Sequence, residues 1–288
     1  MGEWRFDEEI RARICDRYLL GESSGRLARE LECDPTTIRL VLERAGITRR
    51  GAVESHRKHS CNHRFFERID TEEKAYWLGF ITADGCVTAG NMVQVILAAC
   101  DADHLLKLKT ALSATQPVSI GRAPGEHFID GKATTSGPTA RFVVYSKEMY
   151  DDLGKLGVLP RKSVKETPAV LDTCLMRHYW RGVIDGDGWV GGSQRYWRVG
   201  VVGSIAICDG FAEFARDVTG ATSNTVPIQN HFRFCTSGSH GPYLLAKHLY
   251  EGAAVYLDRK YAKYQELVRW YKAKYPPAVK PGEQLSLL

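Results

Sequence analysis

Ala75–Val87 reads AYWLGFITADGCV, and His178–Val190 reads HYWRGVIDGDGWV. The same residue types recur in the same places: Tyr76 and Tyr179, Trp77 and Trp180, Gly79 and Gly182, Ile81 and Ile184. The match continues through Asp84 and Asp187, Gly85 and Gly188, and Val87 and Val190. Each copy is an apolar, helix-like segment that stops at Asp-Gly. Gly79 and Ala83 are four residues apart and share one helix face, as do Gly182 and Gly186. Small residues at that spacing let two helix backbones approach closely. The simplest arrangement packs one copy against the other with near two-fold symmetry. Asp84 and Asp187 then lie side by side at the C-terminal ends, each followed by a glycine that stops its helix.

Such a placement is electrostatically unfavourable. A carboxylate at the negative end of a helix costs roughly 0.3–1 kcal/mol, and two neighbouring carboxylates repel each other. A divalent cation bound between them relieves both effects, and hard oxygen ligands suit magnesium. One Asp-Gly by itself reads as a cap or a turn. Two in matching positions of a duplicated frame read as a site.

The duplication extends beyond the two segments. In the first half MVQVILAA alternates as a strand and DADHLLKLKTAL reads as a helix, followed by strands in PVSIGR and ARFVVYS and a helix in KEMYDDLGKLG. In the second half the strand WRVGVVGSIAI precedes the helix DGFAEFARDV, then come strands in NTVPIQ and HFRFCTS and a helix in PYLLAKHLY. Two copies are too few for a stacked repeat array, so this is an internal two-fold duplication. Ala123 to Pro138, rich in Gly and Pro, has no equally long counterpart in the second half and reads as a flexible loop.

The segments WLGFITADG and WRGVIDGDG resemble the two copies of the motif that names the LAGLIDADG homing endonucleases. The resemblance runs from Glu72 to about Tyr275 and is to the monomeric, pseudo-symmetric members. It implies an α+β fold made of two αββαββα halves, with two antiparallel sheets lying over the DNA major groove and the motif helices at the centre. It further implies a hydrolase that makes metal-dependent double-strand breaks in a specific DNA site. Asp84 and Asp187 take the places of the metal-binding acids, with the carbonyls of Ala83 and Gly186 completing the shell around Mg2+ or another divalent cation such as Mn2+. Thr82 stands where the motif has its first acid, whereas Asp185 keeps it. Asp185 lies two residues from Asp187 and faces elsewhere, so a supporting structural role is expected.

The same resemblance implies a basic residue near each centre. Lys162 and Lys260, each preceded by an arginine, fall at similar offsets after Asp84 and Asp187 and are the candidates, with Arg161 and Arg259 behind them. A lysine beside the scissile phosphate stabilises developing charge or helps activate water. Base reading is expected from side chains that alternate along the strands. The candidates are Gln94, Arg122, Arg141, Gln194, Arg195, Arg198, Gln229, Asn230, His231 and Arg233.

Phe6 to Ile47 reads as three short helices. Ile10, Ile14, Tyr18 and Leu19 mark the first, and Glu22-Ser23-Ser24 offers a cap for the second. Asp34 and Pro35 start the third, with Ile38, Leu40, Val41 and Leu42 on its buried side and Gly46 as its stop. The spacing resembles a helix-turn-helix DNA-binding module. Thr36, Thr37, Arg39 and Arg44 line its recognition helix, with Arg49 and Arg50 following as phosphate contacts. A small packing unit without a ligand is the bland alternative.

The domain plan is therefore a helix-turn-helix module at 1–50, a basic linker at 51–70, the two halves at 71–170 and 171–275, and a proline-rich tail at 276–288. His56, His59, Cys61 and His63 fall within the linker but match no usual zinc spacing, so a solvated basic linker is the preferred reading.

Composition agrees with this plan without proving it. The chain has 288 residues, 39 Lys and Arg against 34 Asp and Glu, and a net charge of +5, which suits a nucleic-acid partner. Its eight cysteines are scattered with no C-x-x-C pair, as expected of reduced thiols in a cytoplasmic protein. The N-terminal residues lack the apolar run of a signal peptide. The expected partner is double-stranded DNA, bound by a monomer acting as a pseudo-dimer. The alternative is a non-cutting nucleic-acid binder of the same fold, an RNA maturase or a transcription regulator. Retention of both acids favours the nuclease. Splicing sequences of an intein are not seen at either end.

Overall fold

The computed structural model describes residues 6–20, 22–48, 59–121, 125–129, 132–160, 165–193, 196–220 and 223–276, with only the backbone described at 125–129 and 132–136. The chain divides into two compact units, Met1–His59 and Ser60–Leu288.

The first unit contains α1 (Glu8–Leu19), α2 (Ser24–Glu30) and α3 (Pro35–Arg44). Each starts on a side-chain cap: Asp7 accepts the Ile10 amide, Ser23 that of Arg26, and Asp34 that of Thr36. Ile14, Tyr18, Leu27, Ile38 and Leu42 close a small core of their own. Leu19 and Leu40 do not join it, at 68% and 45% exposure. Leu40 is two positions beyond Ile38, on the far side of α3, and Leu19 is a step round α1 from Tyr18.

The second unit repeats one plan twice. The first half runs α4 (Glu72–Asp84), β1 (Gly85–Thr88), β2 (Met92–Ala98), α5 (Ala102–Ala111), β3 (Ser119–Ile120), β6 (Thr139–Tyr145) and α6 (Lys147–Lys155). Between β3 and β6 it inserts β4 (Gly125–Ile129) and β5 (Lys132–Ser136). The second half runs α7 (Thr173–Asp187), β7 (Gly188–Gly192), β8 (Trp197–Gly203), α8 (Ile205–Thr219), β9 (Val226–Ile228), β10 (His231–Gly238) and α9 (His240–Tyr250). A further helix, α10 (Asp258–Lys274), follows. The two antiparallel sheets have equivalent orders, β1-β2-β6-β3 and β7-β8-β10-β9. The expected duplicated αββαββα fold is thus present.

Three local expectations need correction. Within the stretch expected to be a flexible loop, β4 and β5 pair as a two-stranded antiparallel sheet. The stretch SIAI does not extend β8. Ser204 caps α8 by accepting the Ile207 amide at 3.1 Å, so Ile205 to Ile207 are helical. Helix α10 was not anticipated, although Lys260, Tyr264 and Leu267 are buried at helical spacing.

Helices α4 and α7 form the centre. Ala75 to Thr82 are buried without exception, so α4 has no solvent face between its first turn and its last two residues. A Cβ on Gly79 would collide with the Tyr179 carbonyl, and one on Gly182 with the Tyr76 carbonyl. Only glycine permits that approach. Polar groups hold the rest. The fully buried Arg181 of α7 donates to Glu72 of α4 at 2.7 Å and to the carbonyls of Val255 and Leu249, both at 2.9 Å. Glu72 also accepts the Ala254 amide at 2.8 Å. Aromatic and aliphatic residues of both halves, among them Phe80, Val95, Phe142, Val201, Phe211 and Phe234, form one continuous core.

Candidate functional site

Asp84 is the last residue of α4 and Asp187 the last of α7. Each helix ends in the same way, with the following glycine amide bonded to the carbonyl three residues before the aspartate: Gly85 to Ile81 and Gly188 to Ile184. Strands β1 and β7 start at those glycines, so each aspartate sits where its helix hands over to its sheet. The two ends are adjacent. A Cβ on Gly186 would collide with that of Ala83 and lie 3.5 Å from the Asp84 carboxyl carbon. Asp84 is half-buried and Asp187 is exposed.

Lys260, from the first turn of α10, enters this site from within. Only 5% exposed, it donates to the carbonyls of Ile184, Asp185, Gly186 and Gly188 at 2.6, 2.7, 3.1 and 2.8 Å. An ammonium has three hydrogens, so these four carbonyls share all of them. It therefore caps the negative end of α7. Burial pushes the Lys260 pKa down to about 8, against the opposing pull of Asp185, Asp84 and Asp187. All three carboxylates act on this ammonium, which marks a common centre of charge.

The donor set fits a small hard cation. Asp84 and Asp187 would supply carboxylate oxygens, and the Ala83 and Gly186 carbonyls lie at the same helix ends, with that of Gly186 already accepting from Lys260. Among the described residues no group of three or more His, Cys, Asp or Glu side chains gathers in one place. One or two carboxylates completed by water and phosphate oxygens is the usual habit of magnesium, not of a zinc site. His59, Cys61 and His63 therefore make no such group, although the Cys61 sulfur lies 3.4 Å from His63 Nδ1; His56 lies outside the described residues.

Asp185 lies behind the site and is fully buried. It accepts from the Tyr76 hydroxyl at 2.7 Å, the Tyr250 hydroxyl at 2.6 Å and the Leu257 amide at 2.7 Å. Because Tyr76 gives its hydrogen to Asp185, the neighbouring His104 Nε2, 2.9 Å away, must donate to the tyrosine oxygen. Burial holds the His104 pKa down to about 3, so the ring is neutral. In the first half the matching position is Thr82, whose hydroxyl donates to Leu78 of its own helix at 2.9 Å. Arg259 forms an ion pair with Asp101 at 2.8 Å, away from the carbonyl cluster that Lys260 caps. Lys162 and Arg161 lie outside the described residues.

The sheet faces are only partly what the sequence suggests. Gln94 and Arg141 lie on the outward face of the first sheet. They share it with Cys86, Met92, Ile96, Val143 and Tyr145, an apolar set that alternation would have identified. On the second sheet Arg198, His231 and Arg233 point outward, along with Cys235 and Ser237. Trp189 lies over Gly200, where a side chain would strike its ring. Gln229 and Asn230 form the β9–β10 turn, with Gln229 at a φ of 47°. Arg122, Gln194 and Arg195 lie outside the described residues. In the first unit Thr36, Arg39 and Arg44 are exposed on α3 and Thr37 is half-buried, while Arg49 and Arg50 lie outside the described residues. No described helix is long and apolar enough to cross a membrane.

No family profile and no curated protein matches the chain. Solved structures do. The LAGLIDADG meganuclease I-AabMI bound to uncleaved DNA is similar over 69% of this chain and 90% of its own, at 11% identity and a TM-score of 0.45. The I-LtrWI LAGLIDADG homing endonuclease bound to target DNA is similar over 75% of this chain and 92% of its own, at 12% identity and a TM-score of 0.45. Full-length DUF199/WhiA from Thermatoga maritima is similar over 76% of this chain and 66% of its own, at 14% identity and a TM-score of 0.44.

Proposed function

We propose that this chain is a site-specific, metal-dependent endonuclease of the homing type that hydrolyses both strands of double-stranded DNA. The observation that carries the reading is the meeting of Asp84 and Asp187 at the paired ends of α4 and α7, where each helix passes into a sheet with outward arginine. Two carboxylates at two negative helix ends are a poor structural choice and a good cation site. Asp84 and Asp187, with the Ala83 and Gly186 carbonyls, would hold Mg2+ or Mn2+. The bound cation would activate water and stabilise the leaving 3′ oxygen.

The chain's own residues do the remaining work. Arg141, Arg198 and Arg233 carry positive charge on the outward sheet faces, where they meet phosphates or guanine edges. Lys260 keeps the end of α7 from repelling the phosphate backbone, and Lys162 is assigned the matching place in the first half. The first unit is assigned an accessory DNA contact through α3. The chain acts as a monomer whose halves each address one strand, and a cytoplasmic location follows from this reading.

The competing reading is a non-cutting binder of nucleic acid. The engagement of Lys260 by four carbonyls favours it to a degree, since that ammonium is occupied inside the protein. A plasmid library of randomised sites, incubated with the chain and magnesium, decides between them. Linearised plasmids sharing one site are expected. Retention of DNA without any nick or break would assign the chain to the binders.

A further inference from the structure

The motif helices differ chemically at one buried position. Thr82 bonds Leu78 of its own helix and Tyr179 of α7, whereas Asp185 bonds three other segments directly: Tyr76 on α4, Tyr250 on α9 and the Leu257 amide just before α10. The Leu257 carbonyl in turn accepts the Lys260 and Tyr261 amides, each at 3.0 Å, and so starts α10. Lys260 is therefore one helical turn from the amide that Asp185 grips. Its ammonium ends among the carbonyls of Ile184 to Gly188, around Asp187. The chain of contacts is continuous: Asp185 to Leu257, Leu257 to Lys260, and Lys260 back to the end of α7.

We propose that Asp185 is a positioning residue. It clamps the start of α10 so that Lys260 is held against the end of α7, which orders the Asp187 centre. Asp185 itself touches no reacting atom. This inference rests on the nuclease reading, and its consequence is specific to one strand. The strand served by Asp187 depends on Asp185, and the strand served by Asp84 does not.

The test uses the full chain and its selected target with each strand end-labelled in turn. Asp187→Asn identifies the strand that Asp187 serves. In Asp185→Thr, which installs the first half's residue, the turnover rate on that strand should fall about 10–100-fold, as for other groups that orient site residues from behind. The other strand and the affinity for DNA should be unchanged. Tyr250→Phe removes one hydroxyl without emptying the core and should produce a smaller loss on the same strand, which covers the case where Asp185→Thr does not fold. Amide hydrogen exchange without metal or DNA provides a second readout. Leu257 should be protected in the wild type and should exchange faster in Asp185→Thr. Equal slowing of both strands, a loss confined to affinity, or unchanged exchange at Leu257 would overturn the positioning role and leave the nuclease reading standing. Failure of the intact chain to cut either strand would instead remove the nuclease reading and this inference together.

Discussion

The Tyr76 hydroxyl donates to Asp185 across the helix pair at 2.7 Å, and at the related place Tyr179 hydrogen-bonds Thr82. The duplicated tyrosines have been kept while their partners have diverged. Tyr179 also accepts the Ala169 amide, as Asp185 accepts that of Leu257. Each motif helix is thus tied, through this polar position, to the segment that leaves its own half. The two ties differ in strength, because a carboxylate makes stronger hydrogen bonds than a hydroxyl.

Asp84→Asn and Asp187→Asn should each abolish double-strand cleavage while binding persists. The substitution keeps the shape of the side chain and removes the charge that a cation needs. Gel-shift and cleavage assays on the same preparations check this. Nicked product from one variant supports one centre per strand, and wild-type rates in both would remove the site.

Lys260→Met should slow cleavage more than it weakens binding, and it should also destabilise the fold. Four carbonyls would lose the ammonium, although that of Ile184 keeps the Gly188 amide, and a buried group left unsatisfied costs about 1–3 kcal/mol. Denaturant midpoints measured beside cleavage rates separate the two effects. An unchanged midpoint would mean that the ammonium is not the cap of α7.

Gly79→Ala should be among the most damaging single-methyl changes in the chain. The new carbon would meet the Tyr179 backbone, which cannot yield without parting the helices. Overpacking of this kind costs roughly 1–3 kcal/mol and sometimes more. Gly154, with nothing within 4 Å, is the control expected to tolerate alanine.

Acid should weaken the second unit through His104. The imidazole has a pKa of about 3 when folded, against 6.5 in its ordinary state. Between those values the unfolded chain binds a proton that the native one refuses, so stability falls as pH drops below about 6.5. The loss grows by about 1.4 kcal/mol per pH unit. Melts at about pH 7.5 and about pH 5 should diverge less for His104→Gln than for the wild type. Equal divergence would acquit His104.

Deleting Met1 to Arg50 should leave a folded, metal-dependent nuclease, because the second unit has its own core. Affinity should fall, the DNase footprint should shorten on one side, and the salt dependence should flatten by roughly 0.9 per lost phosphate contact. An unchanged slope and footprint would make the three helices a packing or partner-binding unit.

The centre of the fold was legible because it is repeated. Gly79, Gly182 and the Asp-Gly ends are constrained by backbone contact, and such constraints leave few substitutes. Ser23, Asp34 and the strands of β2 and β6 were readable from capping and alternation. The start of α8 was not, because Ile205 to Ile207 have strand-like side chains and only Ser204 signals a helix. Lys260 was a candidate from its offset, but its direction was hidden. A lysine turned inward onto carbonyls and one turned outward onto phosphate have the same sequence. The Asp185 clamp depends on Tyr250 and Leu257, whose proximity no local pattern reveals.

The Glu72–Arg181 pair makes the duplication irreversible. Aligning the aspartates sets Leu175 opposite Glu72 and Leu78 opposite Arg181. Two second halves joined as a homodimer would present Leu175 where each buried guanidinium now finds Glu72. The guanidinium is fully buried but Glu72 is only half-buried, so the loss falls below the roughly 3–5 kcal/mol of a fully buried pair, and a homodimer would suffer it twice. An ancestor built from two identical subunits could not have carried Arg181 in this form. Chimeras that recombine halves of such chains will assemble only if the acid travels with one half and the guanidinium with the other.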